Sequence, residues 1–177
     1  MNVGTGFKAI VADPPWPYKT WSDKGKDRSQ EKHYRTMTLG DILAMKSDIQ
    51  QAAAKDCCLF MWATGFHLPA AITTMRAWGF EFKTIAFTWV KVTKAGAPVM
   101  GLGKWTRTNA ELVLLGTRGK PSRLRADVQQ IVQAQRSAHS VKPEEVQDRI
   151  ERLVAGPYLE LFARRHRPGW TCWGDEL

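Results

Sequence analysis

The apolar run Phe7 to Ala12 ends on Asp13-Pro14-Pro15-Trp16. Average residue usage would produce that tetrad by chance in a chain of this length about once in ten thousand. A turn after a strand accounts for the two prolines but not for a carboxylate and an indole flanking them. Together the four residues supply two hydrogen-bond acceptors and a flat face. Asp13 is one acceptor and the carbonyl of Pro14 is the other, its direction set by the proline rings. Two acceptors aimed at the hydrogens of an aromatic exocyclic amine favour a more pyramidal nitrogen and absorb the charge that develops when it attacks. Trp16 offers a surface on which a purine could stack. The chemistry this suits is alkylation of a ring amine, with the reactive carbon held in line. It needs neither a covalent intermediate nor a metal.

Such a motif needs a frame. Phe7 to Ala12, Cys57 to Ala63, Thr84 to Val92, Glu111 to Leu115, Tyr158 to Ala163 and Thr171 to Trp173 read as short strands. Thr38 to Ala54, His67 to Trp78 and Pro143 to Ala155 read as helices, the last with Val146, Ile150, Leu153 and Val154 on one stripe. The segments 19–33, 94–108 and 117–135 read as loops long enough to be functional. Strands alternating with helices predict an α/β fold with a largely parallel, twisted sheet and helices on both faces. Ligands of such sheets bind at the carboxyl ends of the strands, which places Asp13 and Arg164 on one edge.

The net charge of +9 points to a polyanionic partner. Lys104, Arg107, Arg118, Lys120, Arg123 and Arg125 are candidates for phosphate contacts, with a solvated basic loop the plain alternative for the last four. Several of the eight tryptophans stand beside cations, as in Lys104-Trp105-Thr106-Arg107, a mixture that suits unpaired bases. The three cysteines form no metal-binding or disulfide pattern, and Cys57 and Cys58 should face opposite sides of a strand. No apolar run spans a bilayer and no signal peptide is visible, so the expectation is a cytoplasmic protein in a prokaryotic host cell, with no membrane association.

Beyond the tetrad, His33 to Met37, Leu59 to Gly65, Trp89-Val90-Lys91, His139 to Pro143, Arg149 to Leu153, Leu159 to Arg164 and Trp170 to Gly174 follow in an order that resembles the MT-A70 family of adenine methyltransferases. The resemblance covers nearly the whole chain and implies one domain, 1–177, with a class I, Rossmann-like methyltransferase sheet. Its catalytic motif precedes the cofactor strand, a permuted order. S-adenosylmethionine is the implied cofactor. Asp13, Lys142, Phe162, Arg164, His166, Gly174, Asp175 and Glu176 are implied to surround it. Tyr34, Trp89 and Lys91 are implied to form the pocket for the target adenine, with Asp13, Pro14, Pro15 and Trp16 catalytic. The chain departs from many methyltransferases in having no glycine-rich loop after Phe162-Ala163-Arg164-Arg165, and Asp175 and Glu176 are acids where amides are expected.

With no separate target-recognition segment, a short or relaxed sequence preference is expected, read by the loops or by a partner chain, and a homodimer is compatible with the sequence. DNA is the favoured substrate, and RNA is the alternative. A catalytically silent nucleic-acid-binding subunit is the reading from another class, opposed by the intact tetrad and by Lys142. Cytosine-amine enzymes tend to carry Ser in place of Asp13.

Overall fold

The computed structural model describes residues 1–17, 36–101, 103, 105–135, 141–175 and 177. Its strands are β1 (Phe7–Ala12), β2 (Ala53–Ala63), β3 (Glu81–Val92), β4 (Ala110–Arg118), β5 (Ile131–Gln135), β6 (Tyr158–Leu161) and β7 (Trp170–Trp173). Its helices are α1 (Leu39–Ala44), α2 (Lys46–Ala52), α3 (Leu68–Ala77) and α4 (Glu144–Leu153), with a 3-10 turn at Gly65–His67. The strands form one sheet in the order β5-β3-β4-β2-β1-β6-β7. All adjacent pairs are parallel except the two that β4 makes, with β2 and with β3. This is the mixed, largely parallel α/β sheet expected of a class I methyltransferase.

Alternation along the strands divides the core between the two faces. On one face Ile10, Leu59, Met61 and Leu114 pack with Ile42 of α1, Ile49 of α2 and Met75 of α3. On the other Val11, Phe60, Trp62 and Val113 pack with Val146 and Ile150 of α4. Cys57 joins the first cluster and Cys58 the second, as the pleat requires. Burial pushes the two thiols up to about 12 and about 11, so neither is a thiolate nucleophile.

Several boundaries differ from expectation. The first long helix is two, because Met45 leaves the helical ψ and caps α1 while opening α2. Thr38 does cap: its hydroxyl accepts from the Asp41 amide at 3.1 Å and the Asp41 carboxylate accepts from the Thr38 amide at 3.2 Å. Ala53 and Ala54 belong to β2, and β4 continues through Arg118. The segment 117–135 is not one loop, because β5 forms at its end. Its only buried residue is Val132, so its apolar signal is weak. Tertiary contacts hold it instead: Arg149 on α4 donates to the carbonyls of Gln129 at 2.6 Å and Ile131 at 2.7 Å. Among the described residues no helix is long and apolar enough to cross a membrane.

Ile150 is fully buried where α4 meets the sheet. Ile150→Ala should lower the unfolding free energy by about 2–5 kcal/mol, measured by urea denaturation. A loss under about 1 kcal/mol would mean that α4 contributes little packing.

Candidate active site

The carboxyl ends of β1, β2, β3 and β6 and the start of the reversed β4 share one edge of the sheet. Asp13 follows β1 directly, and its amide points to the Leu161 carbonyl of β6 at 3.5 Å. Both proline carbonyls are bonded within the protein. The Pro14 carbonyl accepts from the Trp16 amide at 2.8 Å, and the Pro15 carbonyl from the Met37 amide at 3.0 Å. A carbonyl oxygen has two lone pairs, so a pinned Pro14 can still accept from an incoming donor.

Trp16 departs from the expectation of an open stacking face. It is 8% exposed. Its indole donates to the Trp62 carbonyl at 3.1 Å, and its ring stacks on His67 with centroids 5.9 Å apart. His67 in turn bonds Thr64 and the Pro17 carbonyl at 2.9 and 3.2 Å. The indole therefore anchors the motif. Trp89 is likewise 2% exposed, donating to the Ala134 carbonyl at 3.0 Å and meeting Trp62 edge-on. It forms the floor beneath Lys91, whose ammonium sits 4.9 Å from its ring centre.

Four charges alternate across this edge. Lys91 pairs with Glu111, Glu111 with Lys142 at 3.3 Å, and Lys142 with Asp13 at 2.7 Å. Burial works against the charge on Glu111, but Lys142 and Lys91 overcome it and hold the carboxyl below its ordinary range. Burial also opposes the charge on Lys142, and Asp13 and Glu111 overcome that, raising it. Lys142 further lies 5.2 Å from the Trp62 ring centre. Glu111 escaped the sequence reasoning. The available signal was an acid opening an otherwise apolar strand, Glu111-Leu112-Val113-Leu114-Leu115.

A cleft of about 590 Å³, counted to its open mouth, runs from this network along β6. Its lining includes Asp13, Trp62, Lys142, Glu160, Phe162 and Arg164. Phe162 takes a left-handed turn with φ 61° as the chain leaves β6. Glu160 is the second residue the sequence reasoning missed. It stands inside Leu159-Glu160-Leu161 and accepts from Gln147 of α4 at 2.6 Å. Burial, with Asp13 adding to it and Arg165 opposing it, pushes its carboxyl up to about 7.

Other expected site residues lie elsewhere. His166 and Asp175 are exposed and do not line the cleft. Gly174 lies against the chain after β6, where a Cβ would stand 2.1 Å from the Ala163 carbonyl oxygen, and does not line the cleft. The expected phosphate contacts at Arg118 and Lys120 are at the opposite edge, because β4 runs antiparallel and Arg118 pairs with Cys57 at the start of β2. There Arg118 donates to the Gln50 carbonyl at 2.8 Å, and the Lys120 amide to Asp56 at 2.7 Å. Arg125 pairs with Asp127 at 2.6 Å, and the neighbouring Leu124 amide bonds the Leu153 carbonyl at the far end of α4, so Arg123 stands there too. Arg107 is exposed on the β3–β4 connection, at the Asp13 edge. Tyr34, Lys104 and Glu176 lie outside the described residues. No cluster of acids, histidines or cysteines able to hold a metal occurs among the described residues.

Comparison with known proteins places this geometry in context. A family model described as MT-A70 matches residues 7–176. The chain is 35% identical to the type II methyltransferase M.MunI of Mycoplasma sp, over 97% of this chain and 78% of that protein. It is 32% identical to the N6-methyladenosine RNA methyltransferase MTA1 of Cryphonectria parasitica, over 97% of this chain and 52% of that one. It is 31% identical to the N(6)-adenine-specific methyltransferase METTL4 of Homo sapiens, over its whole length and 39% of the relative. The chain thus spans most of the first and about half or less of the other two.

Glu160 generates a pH test. Its folded-state carboxyl holds a proton more tightly than in the unfolded chain, about 7 against an ordinary 4.5. Its contribution to stability is therefore full below pH 4.5 and is lost as pH rises toward 7. Glu160→Gln should flatten that part of the stability profile in urea unfolding; an unchanged slope would rule out Glu160 as its source.

Proposed function

Because the chain belongs to the MT-A70 family, we propose that it transfers the methyl group of S-adenosylmethionine to the N6 amine of adenine in DNA. The observation that carries this reading is Asp13, held at the mouth of the cleft by Lys142 at 2.7 Å beside the pinned carbonyl of Pro14. An ion-paired carboxylate is an acceptor, which is what the hydrogens of a ring amine require.

The cleft fits the cofactor. Lys142 can meet a carboxylate, Asp13 and Glu160 can accept from an ammonium, and Phe162 with Trp62 supplies apolar wall. When bound, S-adenosylmethionine supplies an electrophilic methyl group. The chain's own residues do the rest. Asp13 and Pro14 accept hydrogen bonds from the two amine hydrogens, orient the nitrogen lone pair and stabilise the positive charge that grows there, which is discharged when one of those hydrogens leaves as a proton to water. Lys142 stops Asp13 from swinging away, and Glu111 holds Lys142. Lys91, fixed by Glu111 over Trp89, stands where it can donate to a ring nitrogen of the target base.

DNA is favoured because the relative matched over most of both chains carries a type II methyltransferase name, the designation of DNA modification. Reaching an adenine in a duplex requires extruding it, at a cost of a few kcal/mol.

Matched DNA and RNA oligonucleotides assayed for methyl incorporation, with mapping of the modified base, test the proposal. N6-methyladenine in DNA is the expected product; incorporation into RNA alone would overturn the DNA assignment. Asp13→Ala should reduce transfer by about 10²–10³-fold or more, with a lowered urea midpoint from the lost Lys142 pair but a native far-UV circular dichroism spectrum. Retained turnover would remove Asp13 from the chemistry. Absence of cofactor binding by calorimetry would favour a silent subunit.

A further inference from the structure

The most conspicuous side chain outside the cleft is Trp105, which is 100% exposed. Tryptophan is highly buried on average, so one with its whole surface in water has given up a large apolar contact. It lies on the β3–β4 connection, which springs from the two strands carrying Lys91 and Glu111. Met100, on the same connection, is 79% exposed.

This connection is a built projection. The Lys91 amide bonds the Asn109 carbonyl, and the Val99 amide bonds the Lys91 carbonyl, both at 2.8 Å. Val92 and Pro98 form a bridge, and the Gly101 amide bonds the Thr108 carbonyl at 3.0 Å. Further out the backbone closes tightly. A Cβ on Gly101 would stand 2.2 Å from the Thr108 carbonyl oxygen, and one on Gly103 would stand 1.8 Å from that of Thr106. Only glycine permits these approaches. Between Thr93 and Ala110 the sequence contains Lys94, Lys104 and Arg107 and no acidic residue. An exposed aromatic on a wholly non-acidic projection fits a base stack edged with phosphates better than a protein surface.

We propose that Trp105 is the wedge that fills the base stack of duplex DNA when the target adenine leaves it for the Asp13 cleft. The inference rests on the adenine methyltransferase reading above. A flipped base leaves a gap the thickness of one ring, and an inserted apolar side chain replaces the lost stacking contacts. Lys94 and Arg107, both exposed on the same connection, supply cations for the adjoining phosphates.

The test compares three DNAs of one sequence: a fully paired duplex, the same duplex with an abasic site opposite the target adenine, and the single strand. The readout is the ratio of kcat/KM on the paired duplex to that on the single strand. Trp105→Ala should lower this ratio about 10- to 100-fold, with most of the loss absent when the target is already unpaired. Trp105→Phe should restore much of it. A loss equal on all three substrates would make Trp105 a general binding or folding residue and overturn the wedge. So would an unchanged ratio. If the parent protein methylates the single strand but never the duplex, the wedge fails while the methyltransferase reading stands. If it methylates none of the three, that reading fails and the wedge with it.

Discussion

The four alternating charges Lys91, Glu111, Lys142 and Asp13 are the constraint on which the site depends. They come from β3, β4, the residue before Pro143 and α4, and the end of β1. Lys142 also lies over Trp62 of β2. Two cations and two carboxylates leave the set neutral, so a partly buried cluster avoids the cost of an uncompensated charge. Removing one member would leave a neighbour unpaired. The network also explains why the floor is aromatic: Trp62 and Trp89 present ring faces to ammonium groups.

The reversal of β4 decides what belongs to this edge. Run parallel, β4 would send Glu111 to the far side and bring Arg118 toward Asp13. Run antiparallel, it delivers Glu111 to Lys91 and Lys142 and takes Arg118 to the Gln50 carbonyl. The basic stretch 118–125 therefore stabilises a distant corner of the molecule. Besides Lys91 and Lys142, cations at the working edge come from the β3–β4 connection and from Arg164 and Arg165 after β6.

Much of this was legible in the sequence. The strands of the sheet centre announced themselves as apolar runs with abrupt ends, and Asp13 was assigned to a carboxyl edge by the rule for parallel sheets. Lys142 emerged through family resemblance, as a contact for the cofactor, while its pairing with Asp13 and Glu111 had no signal in the sequence. Glu111 and Glu160 stayed hidden because a lone acid in an apolar strand has no meaning until its partners are known, and those partners are far away in the chain. Strand β5 was hidden for the same reason, since Arg149 and β3 supply what its own residues lack. Trp16 and Trp89 show the converse. Their types suggested stacking platforms, yet burial, which single-residue chemistry does not foretell, makes them anchors.

The place of β1 has a consequence for biosynthesis. One side of this strand bonds to β2, which ends at Ala63, but the other side waits for β6, at Tyr158–Leu161. A nascent chain emerging from the ribosome thus carries an open, apolar strand until residues 158–161 have been made. The amide of Asp13 has its β6 neighbour, Leu161, only at the end of that interval. A growing polypeptide is accordingly both vulnerable to misassociation and unable to present a finished site, and the finished site appears at almost the same moment as the finished sheet.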